Sequence, residues 1–210
     1  PLIIALGFFI HFNAKRKTVK LMGAAILGVG FIFLGLQMMV VGLRPITSYP
    51  FVREGLLSIR QWPLLVIAIA ALLTAILHSS AATMGIALAM GGEGIITIET
   101  AVPIILGANI GTCATAAVAS LKGSVESKRV AMAHVLSKFL GVLLLYPFIN
   151  RFAVYLAGTA EALPRQIANA HTLFNLGLLI LFLPLSIPFA RWVTRLVPPQ
   201  SEEEELSRPK

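Results

Sequence analysis

The sequence predicts an all-α integral membrane protein built around a re-entrant helical hairpin and a discontinuous transmembrane helix. Its 210 residues are 57% hydrophobic and only 12% charged, with a mean hydropathy of +0.87, whereas soluble domains carry about 25% charged residues. Two polar clusters, at residues 78–83 and 107–112, interrupt the apolar stretch 75–116. Non-helical backbone at membrane depth survives only where it lines an enclosed cavity, so the clusters predict paired half-helices around one small polar ligand.

The charge and cysteine content exclude several other classes. A net charge of +8 would suggest nucleic acid as the partner of a soluble protein. Here the Lys and Arg residues lie in short loops beside apolar spans, where they set topology instead. We therefore expect the lipid bilayer, and no nucleic acid, as a partner. The single cysteine, Cys113, excludes an internal disulfide and a Cys-rich metal site.

The chain is expected to begin inside a helix, with residues 1–12 as the last turns of a truncated span. Residues 13–20 carry four basic side chains and form a cytoplasmic loop. Residues 21–43 would be about 34 Å long as a helix, enough to cross the bilayer. Residues 44–61 are interpreted as an interfacial amphipathic segment. Close helix packing is suggested by Gly23, Gly28, Gly30 and Gly35.

The hairpin follows. Residues 63–77 would form a helix of roughly 22 Å, too short to cross the bilayer. The chain then meets the polar cluster 78–83 and leaves through residues 91–94, which is the outline of a re-entrant hairpin with its tip near the midplane. Residues 100–106 and 114–121 form two halves of one transmembrane helix, broken between them.

The remaining segments alternate across the membrane, with their basic residues on one side. They are the cytoplasmic loop 122–129, the outward span 130–149, the outer loop 150–164 and the returning span 165–188, which places Arg191 and Arg195 inside. Residues 1–197 are therefore expected to form one transmembrane domain, truncated at its N-terminus, and the acidic residues 198–210 a linker to a missing cytoplasmic domain.

The hairpin tip places three hydroxyls, those of Ser79, Ser80 and Thr83, within five residues. Hydroxyls donate to anion oxygens and also ligate a small cation, and a helix N-terminus beside them attracts an anion. The alternative is that these side chains merely bond their own preceding carbonyls. The presence of a second polar cluster favours a ligand site.

In the second cluster, Gly107 and Gly111 allow the chain to leave helical geometry and approach a ligand. Asn109 offers a carbonyl and an amide, and Thr112 a hydroxyl. The alternative is a glycine kink in which Asn109 bonds a neighbouring helix.

Two i,i+4 pairs recur later in the chain, His134 with Lys138 and His171 with Asn175. Each pair lies on one helix face, and interhelical hydrogen bonds explain them as well as ligand contact does. Lys138 differs, because an ammonium near the centre of a span is costly and marks function. The carboxylates that could pair with it lie in loops.

These motifs resemble those of the sodium/phosphate cotransporter family, the type II cotransporters of animals and their bacterial relatives linked to a PhoU-like domain. Members carry two inverted repeats, each with a Gln-Ser-Ser-Ser hairpin tip and a Gly-Ala-Asn-Ile-Gly-Thr break. Residues 107–112 match the break fully, and residues 171–175 look typical. The sequence departs from the pattern at His78, where the family has Gln, at Ala81, where it has Ser, and at Lys138, where Asn is usual.

The resemblance implies that the chain is the second repeat, an inverted-repeat half of a secondary transporter in the cell inner membrane. It implies phosphate as substrate, sodium as coupling ion and no other cofactor or metal. The missing N-terminal repeat, or a homodimer, would complete the site. The resemblance assigns phosphate to Ser79, Ser80, Thr83, Asn109 and Thr112, and sodium to Ser80, Thr83, Asn109 and Asn175. Lys138 stands where the family has a neutral Asn, so we expect its ammonium to act as a tethered cation in place of one sodium; the alternative is a lysine whose stem reaches a polar cavity and leaves the ions unaffected.

Two rivals remain. One is a phosphate-sensing or phosphate-export subunit that works through a PhoU-like domain. The other is a membrane hydrolase using Ser79 or Ser80 with a histidine. It lacks an intramembrane carboxylate to orient the histidine and a glycine-flanked nucleophile turn, so the sequence argues against an enzyme.

Overall fold

The computed structural model describes residues 1–47 and 49–199, and all regular secondary structure among them is helical, as predicted. Most of the predicted acidic linker, residues 200–210, lies outside the described residues. The chain divides into two units, Pro1–Glu54 and Gly55–Lys210. The helices are α1 (Leu2–Asn13), α2 (Lys17–Thr47), α3 (Pro50–Ile59), α4 (Pro63–Leu77), α5 (Ser80–Gly92), α6 (Ile98–Gly111), α7 (Cys113–Ser120), α8 (Val125–Leu145), α9 (Ile149–Ala157), α10 (Leu163–Phe182) and α11 (Ser186–Leu196).

In the first unit, α1 and α2 form an antiparallel pair brought close by glycine. A Cβ added at Gly23 would lie under 3.0 Å from the backbone of His11, and one at Gly30 equally close to Ile4. The predicted packing role is therefore confirmed for these two glycines. At Gly28 and Gly35 an added Cβ would meet nothing within 4 Å among the described residues, so their packing role stays a prediction.

Three stretches of the described residues are long and apolar enough to cross a membrane: Lys17–Met39, Ile98–Ser120 and Val125–Ala157. A fourth is added if α10 and α11, which meet at a bend of 86°, count as one. Helices α4 and α5 are shorter than a span, as the hairpin prediction requires. The protein is thus a membrane protein with several apolar helices.

Helix α6 is the centre of the second unit. Its Val102, Leu106 and Ala108 are fully buried, and α4, α5, α8, α9 and α10 all pack against it. A helix that is packed on all sides has apolar residues on every face of its sequence, because no face meets lipid or water. Every candidate site residue therefore lies on α6 or on a helix in contact with it, except Ser79, which directly precedes α5, and Thr112, which directly follows α6.

The predicted opening of the helix over residues 107–112 is corrected. The chain stays helical through Gly111, and Thr112 keeps helical dihedrals (φ −58°, ψ −27°) before α7 begins. A Cβ added at Gly107 or Gly111 would lie under 3.0 Å from the backbone oxygen of Ile67 or Ala71. These glycines serve close approach of α6 to α4, which is their common use in membrane helices.

The predicted outer loop 150–164 is also corrected, because most of it is helix α9. Ile149, Ala153 and Leu156 recur at i, i+4 and i+7 and are buried, a pattern typical of an amphipathic helix. The true loop is closed by Gln166, whose Nε2 donates to the carbonyl of Ala160 (2.7 Å).

The predicted span boundaries are corrected at several points. The helix that carries the span predicted at residues 21–43 is longer, as α2, and its part apolar enough to cross a membrane is Lys17–Met39. The span 130–149 begins at Val125, capped by the Ser124 hydroxyl, and the span 165–188 ends at Phe182, before the bend. Residues 44–47 continue α2, so the predicted interfacial segment is a separate helix only over α3.

Two contacts bring together residues that the predicted topology places on the same side. Arg60 pairs with Glu99 (3.7 Å), both on the predicted outer side. Arg129 Nε donates to the Val197 carbonyl (3.0 Å), both on the predicted inner side. The topology itself stays a prediction.

Candidate functional site

The hairpin turn consists of two residues between α4 and α5. His78 ends α4 in the left-handed region (φ 50°), the one non-glycine residue with positive φ in the described part of the chain. Ser79 is extended, and its Oγ accepts from Ala82 N (3.2 Å), so it caps α5. Such a cap satisfies one of the free N–H groups at a helix start and leaves others available. The Ser79 hydroxyl also keeps its own proton to donate.

Ser80 is the first residue of α5 and is half-buried. Its hydroxyl makes no hydrogen bond to the described residues. A free hydroxyl beside a positive helix end suits an oxyanion. Of the three predicted tip hydroxyls, this one is the most available to a ligand.

Thr83 lies on the inner face of α5, 1% exposed, and its Oγ1 is 2.7 Å from Thr74 Oγ1 of α4. The Thr74 hydroxyl donates its single proton to the Ala70 carbonyl (2.7 Å). Thr83 must therefore donate to Thr74. This hydrogen bond fastens the two limbs of the hairpin. The sequence analysis missed Thr74, because one hydroxyl in an apolar limb gives no signal of its own.

Replacing Thr83 with valine is expected to lower the free energy of unfolding by about 1–2 kcal/mol. Valine keeps the shape but removes the donor, which leaves the buried Thr74 oxygen short of a partner. Thr83→Ser keeps the hydroxyl and should lose less. Thermal unfolding of the purified full-length protein in detergent measures both, and equal losses in the two variants would contradict this role.

On α6, Asn109 is 4% exposed, and its Nδ2 donates to the Ile105 carbonyl (2.9 Å). Its Oδ1 accepts from Lys138 of α8 (2.9 Å). Asn109 thus makes the hydrogen bond to a neighbouring helix that the sequence left open as an alternative to ligand binding. The Thr112 hydroxyl donates to the preceding Ala108 carbonyl (2.7 Å), which is the alternative for a hydroxyl in a membrane helix.

Lys138 also donates to Asn175 Oδ1 of α10. Its Nζ lies 6.0 Å from the centre of the Phe174 ring, within reach of a cation–π contact. Among the described residues no carboxylate lies within ion-pair distance of it. Asn109, Lys138 and Asn175, here called the amide cluster, thus join α6, α8 and α10.

The predicted site residues therefore fall into two groups, the hairpin tip and the amide cluster. The structure connects Asn109 with Asn175 through Lys138, and it connects Thr83 with Thr74 inside the hairpin. No hydrogen bond within the described residues joins the two groups to each other. Thr112 belongs to neither group, since its hydroxyl donates to Ala108 of α6 and its carbonyl accepts from Thr115 of α7. The two groups meet α6 from different neighbours, since α5 carries the tip and α8 and α10 carry the cluster.

Comparison with known proteins adds a family. The Na+/Pi-cotransporter family matches residues 47–185. YqeW of Bacillus subtilis (strain 168) is 33% identical over 198 residues, which cover 93% of this chain and 64% of YqeW. The "Putative inorganic phosphate export protein YjbB" of Escherichia coli (strain K12) is 27% identical over the whole chain, which covers 39% of YjbB.

A shorter match is found with the sodium-dependent phosphate transport protein 2A of Oryctolagus cuniculus. It is 34% identical over 122 residues, which cover 56% of this chain and 18% of that protein. No solved structure matches the chain. The chain spans less than two thirds of the length of each of these relatives.

Proposed function

Because the chain belongs to the Na+/Pi-cotransporter family, we propose that it forms part of a secondary transporter that moves inorganic phosphate across the cell membrane with sodium. The family name and the functionally named relatives describe transport of phosphate and not an enzymatic reaction. The observation that carries the proposal is the hairpin tip, where the available Ser80 hydroxyl stands at the N-terminus of α5.

Phosphate is held at this tip. The N–H groups at the start of α5 and the Ser79 and Ser80 hydroxyls donate to its oxygens, and the helix end supplies a partial positive charge. Thr83 lies one turn further on and supports the tip through Thr74. Asn109 and Thr112 close the same site when the hairpin-bearing core moves against the rest of the transporter.

Sodium binds beside the phosphate through neutral oxygens, with Ser80 and Thr83 as hairpin ligands. A second, inverted repeat supplies the facing tip, since transporters of this architecture bind at the interface of two repeats. This half would otherwise offer an anion only one side of a site. A homodimer is the other way to bring two tips together.

One observation favours a second candidate, export of phosphate. The similarity to YjbB, named as an export protein, extends over the whole chain. The same site serves either direction, because a transporter follows the gradient that its coupling ion provides. Export and uptake therefore differ in the coupling, not in the hairpin chemistry.

The test is phosphate flux through the full-length protein in proteoliposomes, with sodium gradients imposed inward, outward or not at all. We expect flux that requires the protein and follows the sodium gradient. Ser80→Ala should lower the apparent phosphate affinity about tenfold to a hundredfold, because a hydrogen bond to a charged ligand is worth about 1.5–3 kcal/mol.

The matched control is Ser58→Ala, since the exposed Ser58 hydroxyl donates to the Gly55 carbonyl of its own helix and to no other described residue. This variant should transport like the parent. Flux that ignores sodium in both directions would refute the coupling, and an unchanged affinity in Ser80→Ala would refute the assignment of phosphate to the tip.

A further inference from the structure

The ammonium of Lys138 joins three helices, and both of its hydrogen bonds within the described residues go to neutral oxygens. It donates to Asn109 Oδ1 of α6 at 2.9 Å and to Asn175 Oδ1 of α10. Its side chain is half-buried. Since an ammonium carries three protons and these are its two hydrogen bonds within the described residues, one proton remains.

The two amides are held so that their oxygens face the ammonium. The Nδ2 of Asn109 donates to the Ile105 carbonyl (2.9 Å), and that of Asn175 to the His171 carbonyl (2.8 Å). Each amide nitrogen is thus committed to the preceding turn of its own helix, which fixes where its oxygen points. The result is a preformed pair of neutral oxygen ligands contributed by two helices.

Such a pair of oxygens is better suited to bind a small monovalent cation than to serve only as a structural link between the two helices. Two amides in facing helices are able to bond each other directly, without a charge between them. A cation within a span is costly, and this one is kept without a carboxylate partner in the described part of the chain. Neutral carbonyl oxygens are also what transporters use to coordinate sodium.

We infer that the Lys138 ammonium is a tethered cation that permanently occupies a sodium position between α6, α8 and α10. Asn109 and Asn175 act as ligands of this ammonium, and they are released for sodium only when it is removed. The positive charge stays in the protein through the transport cycle. This half therefore couples one sodium ion fewer to each phosphate than a half in which sodium itself occupies that position. The inference rests on the proposed function for its meaning in transport, but the cation position is testable without transport.

The test uses the purified full-length protein and Lys138→Asn, which removes the ammonium and adds a third amide oxygen. Thermal unfolding is followed in sodium chloride and in choline chloride of equal concentration. We expect the variant to melt lower than the parent in choline. It should gain a sodium-specific rise of about 3–6 °C at ten times the sodium Kd. Any sodium response of the parent, from sites elsewhere, is subtracted.

Lys128→Asn is the matched control, since Lys128 lies on the same helix ten residues earlier. It should show the parent's sodium response. Lys138→Gln repeats the test with a longer amide in case Lys138→Asn fails to fold. A variant that folds without any added sodium response overturns the inference, as does failure of both variants to fold even when prepared in sodium.

Flux then separates this inference from the proposed function. If the parent transports phosphate, Lys138→Asn should make flux more steeply dependent on sodium, with a Hill coefficient higher by up to one. Absence of flux in the parent would refute the proposed function and leave the melting result standing. An unchanged Hill coefficient in an active variant would refute the tethered cation.

Discussion

Gly111→Ala is expected to separate α6 from α4 and to abolish phosphate transport. The added Cβ would lie under 3.0 Å from the Ala71 carbonyl oxygen and from Thr74 Cβ. The Ala71 oxygen belongs to the backbone and cannot move away by a change of rotamer, so the two helices must separate. Overpacking of this kind costs about 1–3 kcal/mol or more. The shift would also disturb Thr74, which holds the hairpin through Thr83.

The control is Gly177→Ala on α10, where an added Cβ meets nothing within 4 Å. Alanine there should be neutral or slightly stabilising, because it favours the helix. Thermal unfolding in detergent and phosphate flux in proteoliposomes measure both variants. Parent-like melting and flux in Gly111→Ala would contradict the close approach of the two helices.

The hairpin was predictable because its signals are local. A short apolar limb ending in a run of hydroxyl residues leaves too few residues to cross a membrane, whatever the rest of the chain does. The observed turn at His78 and Ser79 and the short helices on either side follow from that alone. Whether the hairpin re-enters the membrane depends on surroundings that the sequence does not contain.

The second cluster was misread because glycine has two uses that look alike in sequence. Gly107 and Gly111 are four residues apart, which suits a broken helix and also a close helix contact. The choice depends on the neighbour, here the backbone of α4. The prediction of an outer loop at residues 150–164 was wrong for a similar reason. The helix α9 is short, and its amphipathic pattern is recognised only once α6 is known to pack against it.

The amide cluster lay beyond the reach of sequence. Its members were each singled out, but Lys138 is 29 residues from Asn109 and 37 from Asn175. Only the packing of α8 and α10 on α6 brings them together. The i,i+4 pattern places Lys138 on the helix face of His134 and Asn175 on that of His171, but it does not predict which faces meet.

Asn109 and Lys138 should prove energetically coupled, and a double-mutant cycle measures by how much. Asn109→Leu removes one of the two oxygens that hold a charge, and hydrogen bonds to charged groups are worth about 1.5–3 kcal/mol. Lys138→Met removes the charge and keeps the stem. Once the lysine is gone, Asn109→Leu should cost much less, so we expect a coupling energy of about 1–3 kcal/mol.

The matched control pairs Lys138→Met with Asn169→Leu. Asn169 is also an asparagine on α10, but its Nδ2 donates to the Thr159 hydroxyl (3.1 Å) and shares no partner with Lys138. Their effects should add within about 0.5 kcal/mol, as for independent sites. Additive effects of Asn109→Leu and Lys138→Met in thermal unfolding would show that the ammonium does not depend on this oxygen. Coupling confined to the amide cluster would instead show that the Lys138 ammonium is held by the Asn109 oxygen of α6.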